Sequence, residues 1–328
     1  MILAGDIGGT KTTLALFEDT AGTLSKVREA TFPSRDHATF TEIVTKFLQE
    51  EPKGLALRAG CFGVAGAVIE GKCRTTNLPW QLEEEVLAKA ILARRVKLLN
   101  DLEAMAYGML FLRPDELAVL NPGHQPARRG NVAVIAAGTG LGEAMLAWDG
   151  DRHHPVASEG GHADFSPQSD LEIDLLRYLR GKFNGHVSWE RVLSGPGFYN
   201  LYTFLRDTGR YAEPAWLTEK LKTGDPSYLI TQIGMAGQDP LCVATVEQFC
   251  YLYGVEAGNL ALKCVAVGGV YIGGGIGPKM LSALKAGSFV RGFTEKGRFS
   301  EFLRGVEVRV ALNSQAPLIG AANFALRL

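Results

Sequence analysis

Apolar and polar positions alternate between two periods along this chain. Leu3-Ala4-Gly5 is an apolar run broken at Asp6 and again at Gly8-Gly9-Thr10-Lys11, before Leu14-Ala15-Leu16-Phe17 resumes it. Two strands joined by a glycine turn are predicted, with a third strand before residue 33. The period then changes: Phe40, Ile43, Val44 and Phe47 stand at helical spacing within 37–50. A strand is predicted over Ala59–Val64, followed by a Gly/Ala turn and a loop around Thr75-Thr76-Asn77-Leu78-Pro79-Trp80. Residues 82–92 read as helix. Val96–Leu99 reads as a short buried strand ending at Asn100-Asp101, and helix resumes from Leu102 to about Leu112.

The pattern restarts near residue 131. Val132-Ala133-Val134-Ile135-Ala136-Ala137 meets Gly138-Thr139-Gly140 and returns as Leu141–Trp148. Helices are predicted over 170–180 and 240–266, and mixed helix and loop over 181–235. Val270–Ile272 is a strand running into Gly273-Gly274-Gly275-Ile276-Gly277, with Pro278 at a helix N1 position. Val306–Val310 is a strand, and Ala316–Leu328 a terminal helix expected to pack back on the N-terminal domain. The βββαβαβα order with a leading hairpin is a ribonuclease-H-like pattern. Its repetition predicts two related α/β domains, each offering a glycine–threonine turn to a shared central cleft. The expected division is 1–112, completed by 314–328, against 113–313.

A length of 328 residues and a hydrophobic content of 46% suffice for such cores. The formal net charge is −1, with 34 basic and 35 acidic residues, which leaves no electrostatic footprint for nucleic acid or an anionic membrane. Cys61, Cys73, Cys242, Cys250 and Cys264 form no C-x-x-C pair, which fits reduced thiols in a cytoplasmic protein. The N-terminus reads as a first strand, not a signal peptide, and no apolar run is long enough to span a membrane.

Candidate chemistry sits at the turns. Backbone N–H groups of Gly8 and Gly9, the Thr10 hydroxyl and Lys11 suit an anionic phosphate, and Asp6 suits an accompanying magnesium ion reached through water. Neither a P-loop nor a dinucleotide fingerprint is present. The second turn, Gly138, Thr139 and Gly140, matches the first. At the C-terminal end of the Val96–Leu99 strand, Asn100-Asp101 is either a general base with a flanking amide or a helix N-cap. Ser158-Glu159-Gly160-Gly161-His162-Ala163-Asp164 admits three readings: a metal site, hydroxyl contacts to a polyol, or a solvated loop. Glu190, ahead of Leu193-Ser194-Gly195-Pro196-Gly197, adds a carboxylate, and Gly273, Gly274 and Gly275 would let backbone lie along a base.

Taken in order, Asp6-Ile7-Gly8-Gly9-Thr10, Asn100-Asp101, Gly138–Gly142, Glu159–Phe165, Glu190–Gly197 and Gly273–Ile276 resemble the bacterial glucokinase family of the actin–hexokinase–Hsp70 superfamily. The resemblance runs nearly end to end. It implies two hinged α/β domains in a homodimer, and glucose, ATP and Mg2+ as partners. It implies Asp101 as catalytic base, with Asn77, Asn100, Asp101, Glu159, His162 and Glu190 at the sugar. Asp6 to Lys11, Gly138 to Gly140 and Gly273 to Gly275 fall at the nucleotide. The related repressor–kinase branch carries a cysteine-rich zinc motif after the glycine–histidine segment; no cysteine lies between Cys73 and Cys242, so no zinc is expected. That branch's repressors also begin with a DNA-binding helix pair, which is not expected here. The Thr76–Trp80 loop looks like that branch, so mannose, fructose or an N-acetylated hexosamine stand as alternative substrates, and a non-catalytic sugar sensor as the alternative of another class.

Overall fold

The computed structural model describes residues 1–52, 55–124 and 128–328. It divides into two compact units. The first comprises Met1–Glu116, His153–Ala157 and Asn313–Leu328; the second comprises Leu117–Arg152 and Ser158–Leu312.

The first unit is built on strands β1 (Ile2–Ile7), β2 (Lys11–Thr20), β3 (Thr23–Pro33), β4 (Ala59–Val64) and β5 (Arg95–Asn100), in the spatial order β3-β2-β1-β4-β5. The first three are antiparallel, whereas β1, β4 and β5 run parallel. Helices α1 (Phe40–Gln49), α2 (Glu84–Ala90) and α3 (Asp101–Met109) complete it with the C-terminal helix Ala316–Ala325. β1 is apolar almost throughout because both its faces are covered. Leu3 and Ile7 join a core with Phe40, Ile43, Val44 and Phe47 of α1, whereas Ile2 and Ala4 join Leu318, Ala321 and Ala322 of the C-terminal helix. That helix crosses α3 at two glycines. A methyl group at Gly108 would lie 1.9 Å from the Ala316 carbonyl oxygen, and one at Gly320 would lie 1.8 Å from that of Ala104. A three-stranded sheet forms from Val68–Ile69, Lys72–Arg74 and Gln81–Glu83, and its last strand takes the first two residues of the helix predicted over 82–92, which runs over Glu84–Ala90.

In the second unit, β6 (Leu117–Asn121), β7 (Val132–Ala137), β8 (Leu141–Trp148), β9 (Val270–Gly273) and β10 (Val308–Ala311) lie in the order β8-β7-β9-β10-β6. β7 pairs antiparallel with β8 and parallel with β9, so the hairpin-plus-parallel arrangement of the first unit recurs. The stretch 181–235 is mostly helical, with α4 (Asp170–Phe183) followed by α5 (Gly195–Asp207), Ala215–Leu221 and Pro226–Met235. Their starts carry local signals: Ser194 accepts a hydrogen bond from the Gly197 N–H (3.0 Å), and Asp225 caps the helix that has Pro226 at N1. The long helix α6 (Pro240–Cys264) is capped by Asp239. Pro278 sits at the third position of the helix Ile276–Lys279, not at N1, because Gly275 is the cap. Among the described residues no helix is long and apolar enough to cross a membrane.

Candidate active site

In the first unit, the carboxyl ends of β1, β4 and β5 gather the predicted residues. Asp6 of β1 is in register with Gly63 of β4, which is in register with Leu99 of β5. Asn100 and Asp101 follow directly, at the strand edge where parallel sheets bind ligands. Asn100 caps α3. Its Oδ1 accepts from the Leu102 N–H (2.9 Å), and its own N–H donates to Glu103 Oε2 (2.9 Å) in a capping box. Asp101 is the first helical residue and not the cap; its Oδ1 also accepts from the Leu102 N–H (2.9 Å). The Cys73 thiol nearby is pushed up in pKa by burial and by the Asp101 charge.

The first turn is held from outside. Gly8 N–H donates to the Lys11 carbonyl (3.0 Å), and Ser34 N–H donates to that of Thr10 (3.0 Å). Ser34 Oγ donates to the Gly8 carbonyl (2.7 Å) and shares a 2.9 Å hydrogen bond with Thr12 Oγ1. With its single proton committed to Gly8, Ser34 accepts from Thr12. A methyl group at Gly9 would lie 2.8 Å from Cβ of Asn77, so turn and loop touch there. Residues 65–66 tie the region together: Ala65 N–H donates to Ile7 (3.2 Å), Thr76 N–H donates to Ala65 (3.2 Å), and Asn100 Nδ2 donates to Gly66 (3.1 Å). Thus Asp6, Gly8, Gly9, Thr10, Lys11, Asn77, Asn100 and Asp101 share one end of one sheet. Burial pushes the Asp6 carboxyl above its usual range, and the Lys11 charge opposes that.

The second unit assembles its own group. Gly138 N–H closes the second turn onto the Gly140 carbonyl (2.8 Å), and Gly195 N–H donates to the Gly138 carbonyl (2.8 Å). Glu190 Oε2 accepts from the Leu141 N–H (3.0 Å) and would lie 2.5 Å from a methyl at Gly140. Gly274 has φ +76°, and a methyl there would lie 2.4 Å from the Ala137 carbonyl oxygen. A side chain is therefore excluded at Gly274, where the chain passes the end of β7, whereas Gly275 borders open space. The segment bearing Glu159 and His162 runs beside the one bearing Glu190: Trp189 N–H donates to Ala163 (3.0 Å), and Phe165 N–H donates to Val187 (2.9 Å). Glu159 precedes a single turn, Gly160–His162. A methyl at Gly161 would lie 2.0 Å from the Leu141 carbonyl oxygen, and one at Gly160 would lie 2.0 Å from Glu143 Oε2.

Three residues absent from the sequence expectations support this machinery. Ser34 braces the first turn. Tyr253 OH accepts from the Ala137 N–H (3.1 Å) beneath the second. Glu143 backs the Glu159–His162 turn; its signal was a carboxylate inside an apolar strand. Among the described residues, no group of three or more His, Cys, Asp or Glu side chains is placed to hold a metal ion.

A family model described as Glucokinase matches residues 3–328. The glucokinase of Nostoc sp. (strain PCC 7120 / SAG 25.82 / UTEX 2576) is 39% identical over 342 residues, covering 100% of this chain and 99% of the relative. Among solved structures, a glucokinase from an Antarctic psychrotroph superimposes with a TM-score of 0.87 at 33% identity, over 100% of this chain and 99% of that one. A ROK family glucokinase from Streptomyces griseus, in complex with glucose and AMPPNP, shares the fold with a TM-score of 0.65 at 20% identity, over 100% and 99% of the two chains.

Proposed function

This chain belongs to the glucokinase family, and we propose that it transfers the γ-phosphoryl group of ATP to the 6-hydroxyl of glucose with Asp101 as general base. The observation that carries the assignment is the division of labour at the end of β5. Asn100 performs the capping of α3, and its capping box pins the start of that helix. Asp101 is thereby held at a ligand-binding sheet edge with its carboxylate direction set by the Leu102 N–H. A carboxylate so placed accepts the 6-hydroxyl proton as the oxygen attacks phosphorus in line.

The remaining residues bind and orient. Asn77 and Asn100 supply amides, Glu159 and Glu190 carboxylates, and His162 an imidazole, a mixed set suited to vicinal sugar hydroxyls. The two Gly-Thr turns, with Lys11, offer backbone N–H groups and positive charge to the phosphates. Gly273 to Gly275 leave room for the nucleoside. Magnesium is commonly held by one or two carboxylates, with water and substrate phosphates completing its shell, so a lone Asp6 fits this role without a cluster of protein ligands. There the ion supplies charge neutralisation for the phosphates.

The test is Asp101→Asn. It should fold, bind glucose as the parent does by titration calorimetry, and lose on the order of 10²–10⁴ in kcat. Turnover within a few-fold of the parent would remove Asp101 from the role.

A further inference from the structure

Among the described residues, four acidic side chains are buried in the second unit: Glu143, Glu172, Asp239 and Glu256. Two serve helix starts. Asp239 caps α6, and Glu172 accepts from the Gln168 N–H (2.6 Å) at the head of α4. Glu256 accepts from Asn259 Nδ2 (2.8 Å) and Lys263 Nζ (3.2 Å). Glu143 caps no helix and faces the Glu256 carboxyl instead. It is 1% exposed, its Oε1 has no hydrogen-bond partner, and its Oε2 lies against Gly160.

The surroundings decide which form of Glu143 the fold holds. Glu256, Lys263 and Tyr253 face it from α6. Behind Glu256 stands Lys296, which donates to Asn259 Oδ1 (2.8 Å) and feels Glu172 and Glu295. Burial, then repulsion from Glu256, pushes the Glu143 carboxyl well above the usual range, and burial does the same to Glu256. Lys263 and Asn259 hydrogen-bond Glu256 and favour its charged form, so the proton the pair retains resides on Glu143.

We propose that Glu143 is a positioning residue for glucose: its carboxyl packs beneath Gly160 and sets Glu159 and His162, which flank that glycine turn, at the sugar. The proposal rests on reading Glu159 and His162 as glucose contacts. Loss of the proton to solvent base leaves two carboxylates facing each other under the turn. Their repulsion acts on the short turn packed against Glu143, whose Gly160 N–H is bonded to Ser158 Oγ (3.0 Å). Glucose binding then weakens at alkaline pH while nucleotide binding does not.

The experiment compares the parent with Glu143→Gln from about pH 6 to about pH 9, the span over which a raised carboxyl titrates. Steady-state kinetics give the KM for glucose and for ATP, and amide hydrogen exchange follows residues 158–163 in the ligand-free enzyme. In the parent, the glucose KM should rise about tenfold, equivalent to one weakened charge-assisted hydrogen bond, with the ATP KM flat. Exchange at 158–163 should accelerate beyond the intrinsic pH dependence seen in β7. Glu143→Gln, which stays neutral, should be flat in both. The proposal is overturned if exchange at 158–163 merely tracks β7, or if Glu143→Gln keeps the parent's alkaline rise. The exchange measurement on the parent decides the matter even should Glu143→Gln fail to fold. If the turn responds to pH as expected but Glu159→Gln leaves the glucose KM untouched, Glu143 does govern the turn, and the reading of Glu159 as a glucose contact is what fails.

Discussion

Gly160 and Gly161 are adjacent and equally crowded, yet they differ in what a side chain would meet. At Gly161 the obstacle is the Leu141 backbone carbonyl; at Gly160 it is the far end of the Glu143 side chain. Backbone inside a sheet cannot retreat, whereas a side chain can change rotamer. Gly161→Ala should therefore raise the glucose KM by a hundredfold or more, on the order of 3 kcal/mol of displaced site, and Gly160→Ala should do markedly less. Equal effects, measured by kinetics on folded protein, would refute the distinction. Glu159→Gln and His162→Ala carry a related expectation. On the proposed reading each removes a hydrogen bond to the sugar, worth roughly 1–3 kcal/mol, so the glucose KM should rise about five- to a hundredfold. The ATP KM should stay within about twofold, because only the sugar loses a partner. Parallel rises in both constants would indicate general damage to the unit.

Elements depend on the same close approaches. The C-terminal helix reaches α3 at Gly108 and Gly320, and its apolar side covers β1 through Leu318, Ala321 and Ala322. The mean sequence pattern of that helix, rich in Ala and Leu, signals burial but not what it is buried against. Gly320→Ala drives a methyl into the Ala104 carbonyl and should force the two helices apart, costing about 3 kcal/mol by the overpacking range. Calorimetry should show the first unit melting several degrees lower, with the glucose and ATP constants unchanged below that transition. An unaltered melting temperature would mean that the two helices separate at no cost.

Over the whole molecule, the buried Glu143–Glu256 pair ties stability to pH. Both carboxyls are raised in the folded state, so the folded chain binds more protons than the unfolded chain between the ordinary carboxylate range and the raised values. Stability must then fall as pH increases through that window, at up to about 1.4 kcal/mol per pH unit for each proton. For Glu143 the upper bound of the window is about 8. Denaturant titrations of the parent should lose stability from about pH 5 to about pH 8, and Glu143→Gln should be flatter. A parent curve that rises through that interval contradicts the shared proton. What the amino-acid order determined by itself was local, and not all that is local: Pro278 was misplaced at N1. Hydrophobic period marked β1, β2 and α1 to within about three residues and β4 at its full length, since strand and helix alternate with different periods. The two hairpins, the glycine turns and the Asn100-Asp101 strand end were equally readable, because turn chemistry is written in consecutive residues. The helices of 181–235 were blurred by their shortness and by breaks at Gly185, Gly209 and Gly224, although Ser194 and Asp225 mark two of their starts. Tertiary structure alone decided which of Asn100 and Asp101 caps α3, that Ser34 braces a turn 24 residues before it, and that Glu143 lies beneath Gly160 and beside Glu256. Those outcomes depend on which backbone arrives at 2–4 Å from which, and on how much water is excluded there. Neither quantity is a property of any window of sequence.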